Sequence, residues 1–213
     1  MTPSFPGGVH LIRHGVDVEF FRPADDPARD GKCRCIFSGA WLRDLKTLAL
    51  IIQAFASEKS EVVFDLIIPR DKAAGSELQD LLSLRNVHWH HDLTDHELRR
   101  VYQKGTMLLL PFQDTTANNA LLEGMACGLP VVSTDVGGAR DYTRPEFATL
   151  LPVGDADGMI AAIKTFAANP ELARERGRLA RQFAVRELAW PVIVSEIVSL
   201  FQKLMTPEPG LIR

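Results

Sequence analysis

The stretch Thr106-Met-Leu-Leu-Leu-Pro-Phe-Gln-Asp-Thr-Thr-Ala-Asn-Asn-Ala-Leu-Leu-Glu-Gly-Met-Ala-Cys-Gly-Leu-Pro-Val-Val-Ser133 decides the architecture. Thr106 to Leu110 and Pro130 to Ser133 are short and almost wholly apolar, the pattern of strands buried on both faces. Between them, Ala117 to Cys127 carries apolar residues at helical spacing. Gly128 closes it, the residue type that takes the left-handed conformation just past a helix. Strand, loop, helix and strand in that order form a crossover unit, which joins parallel neighbours in one sheet.

The same alternation extends toward the N-terminus. Cys33 to Phe37 reads as a strand, and Arg43 to Ala56 as a helix with Leu45, Leu48, Ile52 and Phe55 on one face. Val62 to Ile68 is a near-continuous apolar strand, followed by a weak helix around Glu77 to Leu84 and a short strand at Val87 to His90. Thr94-Asp-His-Glu97 matches a capping box, which predicts a helix from Asp95 to about Lys104. Toward the C-terminus little strand signal follows Leu151. Helices are expected at Ala156 to Ala168, Glu171 to Arg186 and Pro191 to Leu204, with Asn169-Pro170 and Trp190-Pro191 at their starts. Trp190 and the apolar positions from Phe183 to Leu204 read as helix packing. The fold class is therefore α/β: a Rossmann-like, doubly wound parallel sheet with helices on both faces and a helical C-terminal segment. Residues 1–8 read as a linker, 9–205 as the domain, Pro23 to Gly31 as a surface loop and 206–213 as a loose, Pro-containing tail.

Composition limits the function classes. The 213 residues carry 24 Lys+Arg against 27 Asp+Glu, a net charge of −3, with 46% hydrophobic residues. That excludes a disordered chain and argues against a nucleic-acid binder. No apolar run reaches the ~18 residues of a membrane span, and the N-terminus lacks a signal-peptide pattern, so the cytoplasm is the expected compartment. Cys33, Cys35 and Cys127 read as free thiols. His88 and His90 fall on one face of their strand and Trp89 and His91 on the other, which assembles no three-ligand set, so no metal is expected.

In an open parallel sheet, ligands bind beyond the carboxyl ends of the strands. Three loops lie there: Ser38 to Lys46, Pro111 to Asn119 and Ser133 to Gly138. Gly39, Gly137 and Gly138 allow close backbone approach, and Thr115, Thr116, Asn118 and Asn119 put small polar groups at a helix start, where an anion such as phosphate is favoured. Arg43 and Lys46, read as the start of one helix, offer positive charge. Glu123 is a carboxylate among apolar and small neighbours; it needs hydrogen-bond donors, and sugar hydroxyls would supply them.

Ile12-Arg-His-Gly-Val-Asp17 with Phe21-Arg-Pro23, and Leu122-Glu-Gly-Met-Ala-Cys-Gly-Leu-Pro-Val-Val132 with Gly137-Gly138, resemble the donor-binding half of the family 4 (group 1) glycosyltransferases of the GT-B fold. The similarity runs from about Val9 to Lys203, and its specific part is the Leu-Glu-x-Met-Ala block. The resemblance implies a retaining glycosyltransferase using a nucleotide-diphosphate sugar with no metal or other cofactor. It implies that Glu123 binds the ribose, that Lys46 binds the diphosphate, and that Arg43 substitutes for the family's Arg, where Ala40 stands. It places the base against His91-Asp92-Leu93 and phosphate or sugar contacts on Gly39, Thr115, Thr116, Asn118, Asn119 and Gly138. Thr115 stands where the first Glu of the family's E-x7-E motif belongs, and Thr116-Ala-Asn118 replaces its Gly-Phe-Gly. The partners implied are the nucleotide sugar and an N-terminal acceptor-binding domain absent from this chain, with peripheral membrane contact through that missing half. The chain alone is then expected to be inactive. Two other readings stand beside this one: a sugar-nucleotide epimerase of the same architecture, and a non-catalytic nucleotide-binding or assembly module.

Overall fold

The computed structural model describes residues 9–25, 30–56 and 61–205. The linker and tail expected at 1–8 and 206–213, and the middle of the 23–31 loop, lie outside the described residues. Six strands form one parallel sheet: β1 (Cys33–Ser38), β2 (Val62–Ile67), β3 (Val87–His90), β4 (Met107–Leu110), β5 (Val131–Thr134) and β6 (Ala148–Leu151). Their order is β3-β2-β1-β4-β5-β6. The chain thus winds outward from β1 in one direction and then, from β4, in the other, which puts the topological switch between β1 and β4.

Alternation along the strands divides the core in two. Cys33, Cys35 and Phe37 of β1 face one side, where they pack with Leu48, Ile51 and Ile52 of α1 (Leu45–Ala54) and Met159, Ile163 and Phe166 of α6 (Ala156–Ala168). Ile36 faces the other side with Leu121, Leu122 and Met125 of α4 (Asn119–Ala126) and Tyr102 of α3 (Asp95–Lys104). The sheet is covered on both faces, as the near-uniform apolar strands require. Two buried apolar layers of this extent supply the dominant favourable contribution to folding, about 25 cal/mol per Å² of apolar surface removed from water.

Local signals act as their chemistry dictates. The Thr94 hydroxyl accepts from the Glu97 N–H while the Glu97 carboxylate accepts from the Thr94 N–H, the reciprocal capping box expected at the start of α3. Gly128 takes φ +83° after α4, and a side chain there would press on Pro23.

Several expectations need correction. The helix expected around 77–84 is only a 3-10 turn, Gln79–Ser83, preceded by a short α2 (Arg70–Ala73). The strand β6 and the short α5 (Ala139–Tyr142) were not foreseen; Ala148–Leu151 is too brief to show a period. The helix expected to reach Arg186 is α7 (Pro170–Phe183), which widens into a π-helical turn, Ala184–Leu188. That turn buries Ala184 and Leu188 and aims the Leu188 carbonyl at the Val16 N–H, 2.8 Å away, stitching the N-terminal segment to the domain. On α8 (Trp190–Met205) only Ile193 is buried, so the apolar positions there are mostly not packed: Val194, Val198, Phe201, Leu204 and Met205 are exposed along one stripe.

One polar residue interrupts the apolar β2. Asp65 is buried and accepts from Arg34 Nη1 at 3.0 Å, with His90 Nε2 at 2.7 Å from its other oxygen. Burial would raise its carboxyl pKa, but the His90 and Arg34 hydrogen bonds outweigh that and hold it below the ordinary carboxylate value.

Candidate functional site

The three loops predicted to share a rim do so, because β1, β4 and β5 are parallel neighbours. Contacts between the loops fix them. The Gly138 N–H donates to the Thr115 carbonyl at 2.9 Å, and Gly137, at φ +52°, lies so close to that carbonyl that a Cβ would sit 2.0 Å from it. No side chain fits at 137 without moving the loop. The Asp44 N–H donates to the Pro111 carbonyl and the Gln113 N–H to the Leu42 carbonyl, each at 3.0 Å, which ties the first loop to the second.

Arg43 occupies the junction. It is not in the first turn of α1, as expected, but one residue before the N-cap Asp44, whose carboxylate accepts from the Thr47 N–H. Its guanidinium is buried across Gly39. Nε and Nη2 donate to the Ser38 carbonyl at 2.9 and 2.7 Å, Nη1 to the Trp41 carbonyl at 3.1 Å and Nη2 to Asn118 Oδ1 at 3.3 Å. The Phe112 ring lies 4.6 Å from Cζ. Among the described residues no carboxylate comes within ion-pair distance of Arg43. Burial lowers its pKa from 12.5 to about 10, so it remains a cation at neutral pH, solvated only by carbonyls, an amide and an aromatic face. Lys46 stands apart, exposed on the first turn of α1 at the same rim.

Asn118 joins two roles. It is the N-cap of α4, accepting from the Leu121 N–H at 3.2 Å, and it receives the Arg43 bond. The free N–H groups of the first turn of α4 therefore open beside a buried cation. Asn119 and Thr116 are exposed there. Thr115 is not presented to the crevice: it is buried, with its hydroxyl donating to the Thr116 carbonyl at 3.2 Å, and it serves to hold the loop.

Glu123 lies one turn along α4, half-buried beside a cavity of about 190 Å³ shared with His14, Asp17, Asn119 and Trp190. Burial raises its pKa above the ordinary carboxylate value, opposed by a hydrogen bond from the Tyr102 hydroxyl at 3.1 Å. Tyr102 was missed by sequence reasoning. It is fully buried on α3, packed in the second core layer, and only the fold brings its hydroxyl against Glu123. His91 and Leu93 follow β3, two strands from β1, at ~5 Å per strand, so they lie on the same rim but away from the other loops. His91 is half-buried against Trp89, ring centroids 4.7 Å apart, with Nδ1 3.0 Å from Asp92.

Switch-point loops of a doubly wound α/β domain that hold a buried cation beside the first turn of a helix can take an anionic ligand. The chain belongs to the family described as glycosyl transferases group 1, whose sequence model matches residues 32–169. Among curated relatives it is 27% identical to alpha-maltose-1-phosphate synthase of Mycobacterium tuberculosis over 93% of this chain and 58% of that protein. It is 26% identical to a GDP-mannose-dependent alpha-mannosyltransferase of Mycolicibacterium smegmatis over 92% of this chain and 52% of that one. The chain thus spans little more than half the length of these relatives. Sucrose-phosphate synthase from Thermosynechococcus elongatus shares the fold, with a TM-score of 0.78 at 22% identity over 92% of this chain and 52% of that one. So does Anabaena HepE in complex with UDP and glucose, with a TM-score of 0.76 at 14% identity over 91% of this chain and 57% of that one. The domain is thus one Rossmann-like half of a GT-B fold. Among the described residues no helix is long and apolar enough to cross a membrane.

Proposed function

We propose that this chain is the donor-binding half of a retaining glycosyltransferase and holds a nucleotide-diphosphate sugar at the β1/β4 switch point. The observation that carries the reading is Arg43: a buried guanidinium with no carboxylate partner among the described residues, next to the N-terminus of α4, is completed by the negative charge of a diphosphate. Lys46 supplies a second, mobile cation from the rim. As the glycosidic bond to the diphosphate breaks, negative charge grows on the leaving oxygens. Arg43, Lys46 and the α4 N–H groups are already oriented for it, so the site stabilises the developing charge without reorganising. These groups meet the diphosphate charge with no metal and no other cofactor. Glu123, held by Tyr102, accepts from the ribose hydroxyls, and the base lies toward His91 and Leu93. The UDP complex of HepE supports a nucleotide ligand for this fold.

The exposed stripe Val194, Val198, Phe201 and Met205 on α8 supports a second half that binds the acceptor and closes the cleft, and any membrane contact would come through that half. Calorimetric titration of the chain with UDP, GDP and ADP, with and without a chelator, tests the donor reading. A diphosphate should bind with or without divalent ions, and Glu123→Ala should weaken nucleoside and nucleotide alike by about 1.5–3 kcal/mol. Undiminished affinity in a folded Glu123→Ala variant would retire the ribose assignment.

A further inference from the structure

A second concave site lies away from the switch point, along the outer edge of β6. Its volume is about 510 Å³, larger than the cavity beside Glu123, and three arginines line it: Arg140 and Arg144 from α5 and the turn after it, and Arg176 from α7. Arg140 is matched, gripping the Asp135 carboxylate through Nε and Nη2. The other two are not. Arg144 donates to the Thr143 and Arg140 carbonyls and lies over the Phe183 ring at 4.8 Å. Arg176 donates to Thr149 Oγ1 at 3.3 Å. Among the described residues neither meets a carboxylate, so the cleft carries two uncompensated guanidiniums in a chain whose net charge is −3.

The floor adds a donor. Among the described residues β6 is an edge strand, paired only with β5. The Phe147 and Leu151 carbonyls accept from the Val131 and Asp135 N–H groups, which fixes the alternation: 147, 149 and 151 turn toward β5, while 148 and 150 turn toward the open edge. The Ala148 N–H is taken by the Arg144 carbonyl at 2.9 Å. The Leu150 N–H is left facing the cleft. A strand edge normally invites another strand, but here the arginine-lined walls make the opening concave and cationic.

We propose that this cleft is a binding site for a phosphate monoester of a sugar-sized molecule, separate from the donor site. A phosphate dianion matches in charge the two guanidiniums, Arg144 still having Nε and Nη2 to donate, and a backbone N–H adds a donor; a cavity of this volume accommodates the attached organic group. An acidic peptide pairing with β6 would use the edge but would leave the volume between α5 and α7 unfilled.

The test is an amide-resolved NMR titration of the 213-residue chain with inorganic phosphate, glucose 1-phosphate and uncharged glucose. The expected result is a saturable shift of the Thr149 and Leu150 amides with both phosphates, tighter for glucose 1-phosphate and absent with glucose. Arg176→Gln should weaken it at least about tenfold. If Arg144→Gln, which also loses bonds to two carbonyls, fails to fold, Arg144→Lys keeps the charge without the fork and should bind with intermediate affinity. Shifts confined to the Asn118 and Gly138 amides would assign the phosphate to the switch-point rim and overturn the proposal. So would an Asp/Glu-rich peptide moving the Leu150 amide where phosphate does not.

Discussion

Replacing Arg43 with Met removes the cation at the switch point while keeping much of the side-chain volume, and the structure sets the size of the effect. Two consequences for stability oppose each other. The Ser38 and Trp41 carbonyls lose their donor, which costs about 1–3 kcal/mol for each group left buried and unpaired. Against that, the folded chain no longer holds a desolvated guanidinium. The fall of the Arg43 pKa from 12.5 to about 10 is equivalent to about 3 kcal/mol of unfavourable charging. Two such carbonyls cost about 2–6 kcal/mol against the ~3 regained, so Arg43→Met should change folding stability by no more than about 3 kcal/mol in urea denaturation. Binding has no such cancellation. A diphosphate that supplies the missing counter-charge can recover up to that ~3 kcal/mol, so the variant should bind UDP up to about a hundredfold more weakly. Uridine presents no charge to the rim and should be nearly unaffected. Isothermal calorimetry with UDP and uridine on wild type and variant reads this difference directly. Equal losses for both ligands would mean that Arg43 only shapes the loop, and unchanged UDP affinity in a folded variant would remove the cation from the binding account altogether.

Tyr102→Phe should cost about 1 kcal/mol of stability and weaken UDP and uridine equally, because Tyr102 touches Glu123 and no phosphate group; a loss confined to UDP would sink that role. Glu123 has a raised pKa, so its ionised, hydrogen-bond-accepting form grows as pH climbs through a value above the ordinary 4.5; uridine affinity should increase across that window, and Glu123→Gln should flatten the profile. Asp65, with a depressed pKa, contributes stability that is present above its unfolded value of 3.8 and lost as pH falls through the folded one. Asp65→Asn should therefore cost about 1.5–3 kcal/mol near neutral pH, since Arg34 loses its buried partner but keeps Asp30, and much less in acid. The chain assayed alone with nucleotide sugar and acceptor should show no transfer, since a single wall cannot hold two substrates at attack distance away from water; turnover by the pure 213-residue chain, checked by mass spectrometry, would contradict this.

What the sequence made legible follows from how local each determinant is. The capping box of α3 and the Gly128 stop act through a few consecutive residues, so their reading carries directly into the structure. The helix Ala156–Ala168 was legible to the residue because its N-cap, Asp155, and its C-terminal Asn169-Pro170 are both local. β6 was not legible: four residues show no period, and its place is set by pairing with β5. The three loops could be placed on one rim because parallel topology forces it. The internal chemistry of the rim could not. Arg43 as the helix's first cation and Arg43 as a buried clamp differ in where α1 starts and in which way one side chain turns, and the Ser38 carbonyl across Gly39 decides the second. Tyr102 and Asp65 were hidden for a related reason. Asp65 is one polar group in an apolar strand and Tyr102 one buried ring on a polar helix, and the partner of each comes from another element.

The departure at position 115 has an electrostatic consequence. Where the family motif places a Glu, this chain has a buried Thr whose carbonyl carries the third loop through Gly138 and whose hydroxyl is turned inward. The neighbouring Asp114 does not take over the position, since its carboxylate folds back to accept from the Thr115 N–H at 2.8 Å. With Asp114 turned away, the carboxylates beside the cavity are Glu123 and Asp17, while Arg43 and Lys46 lie at the rim. On the proposed donor reading, position 115 then offers the hexose hydroxyls no charged acceptor. On that reading the side chains left to meet the sugar are the neutral Thr116 and Asn119, both exposed at the start of α4. Neutral groups discriminate one hexose epimer from another through geometry alone, at about 1 kcal/mol per hydrogen bond, whereas a carboxylate contributes roughly twice that. The selectivity of this site should therefore rest on the nucleotide more than on the sugar.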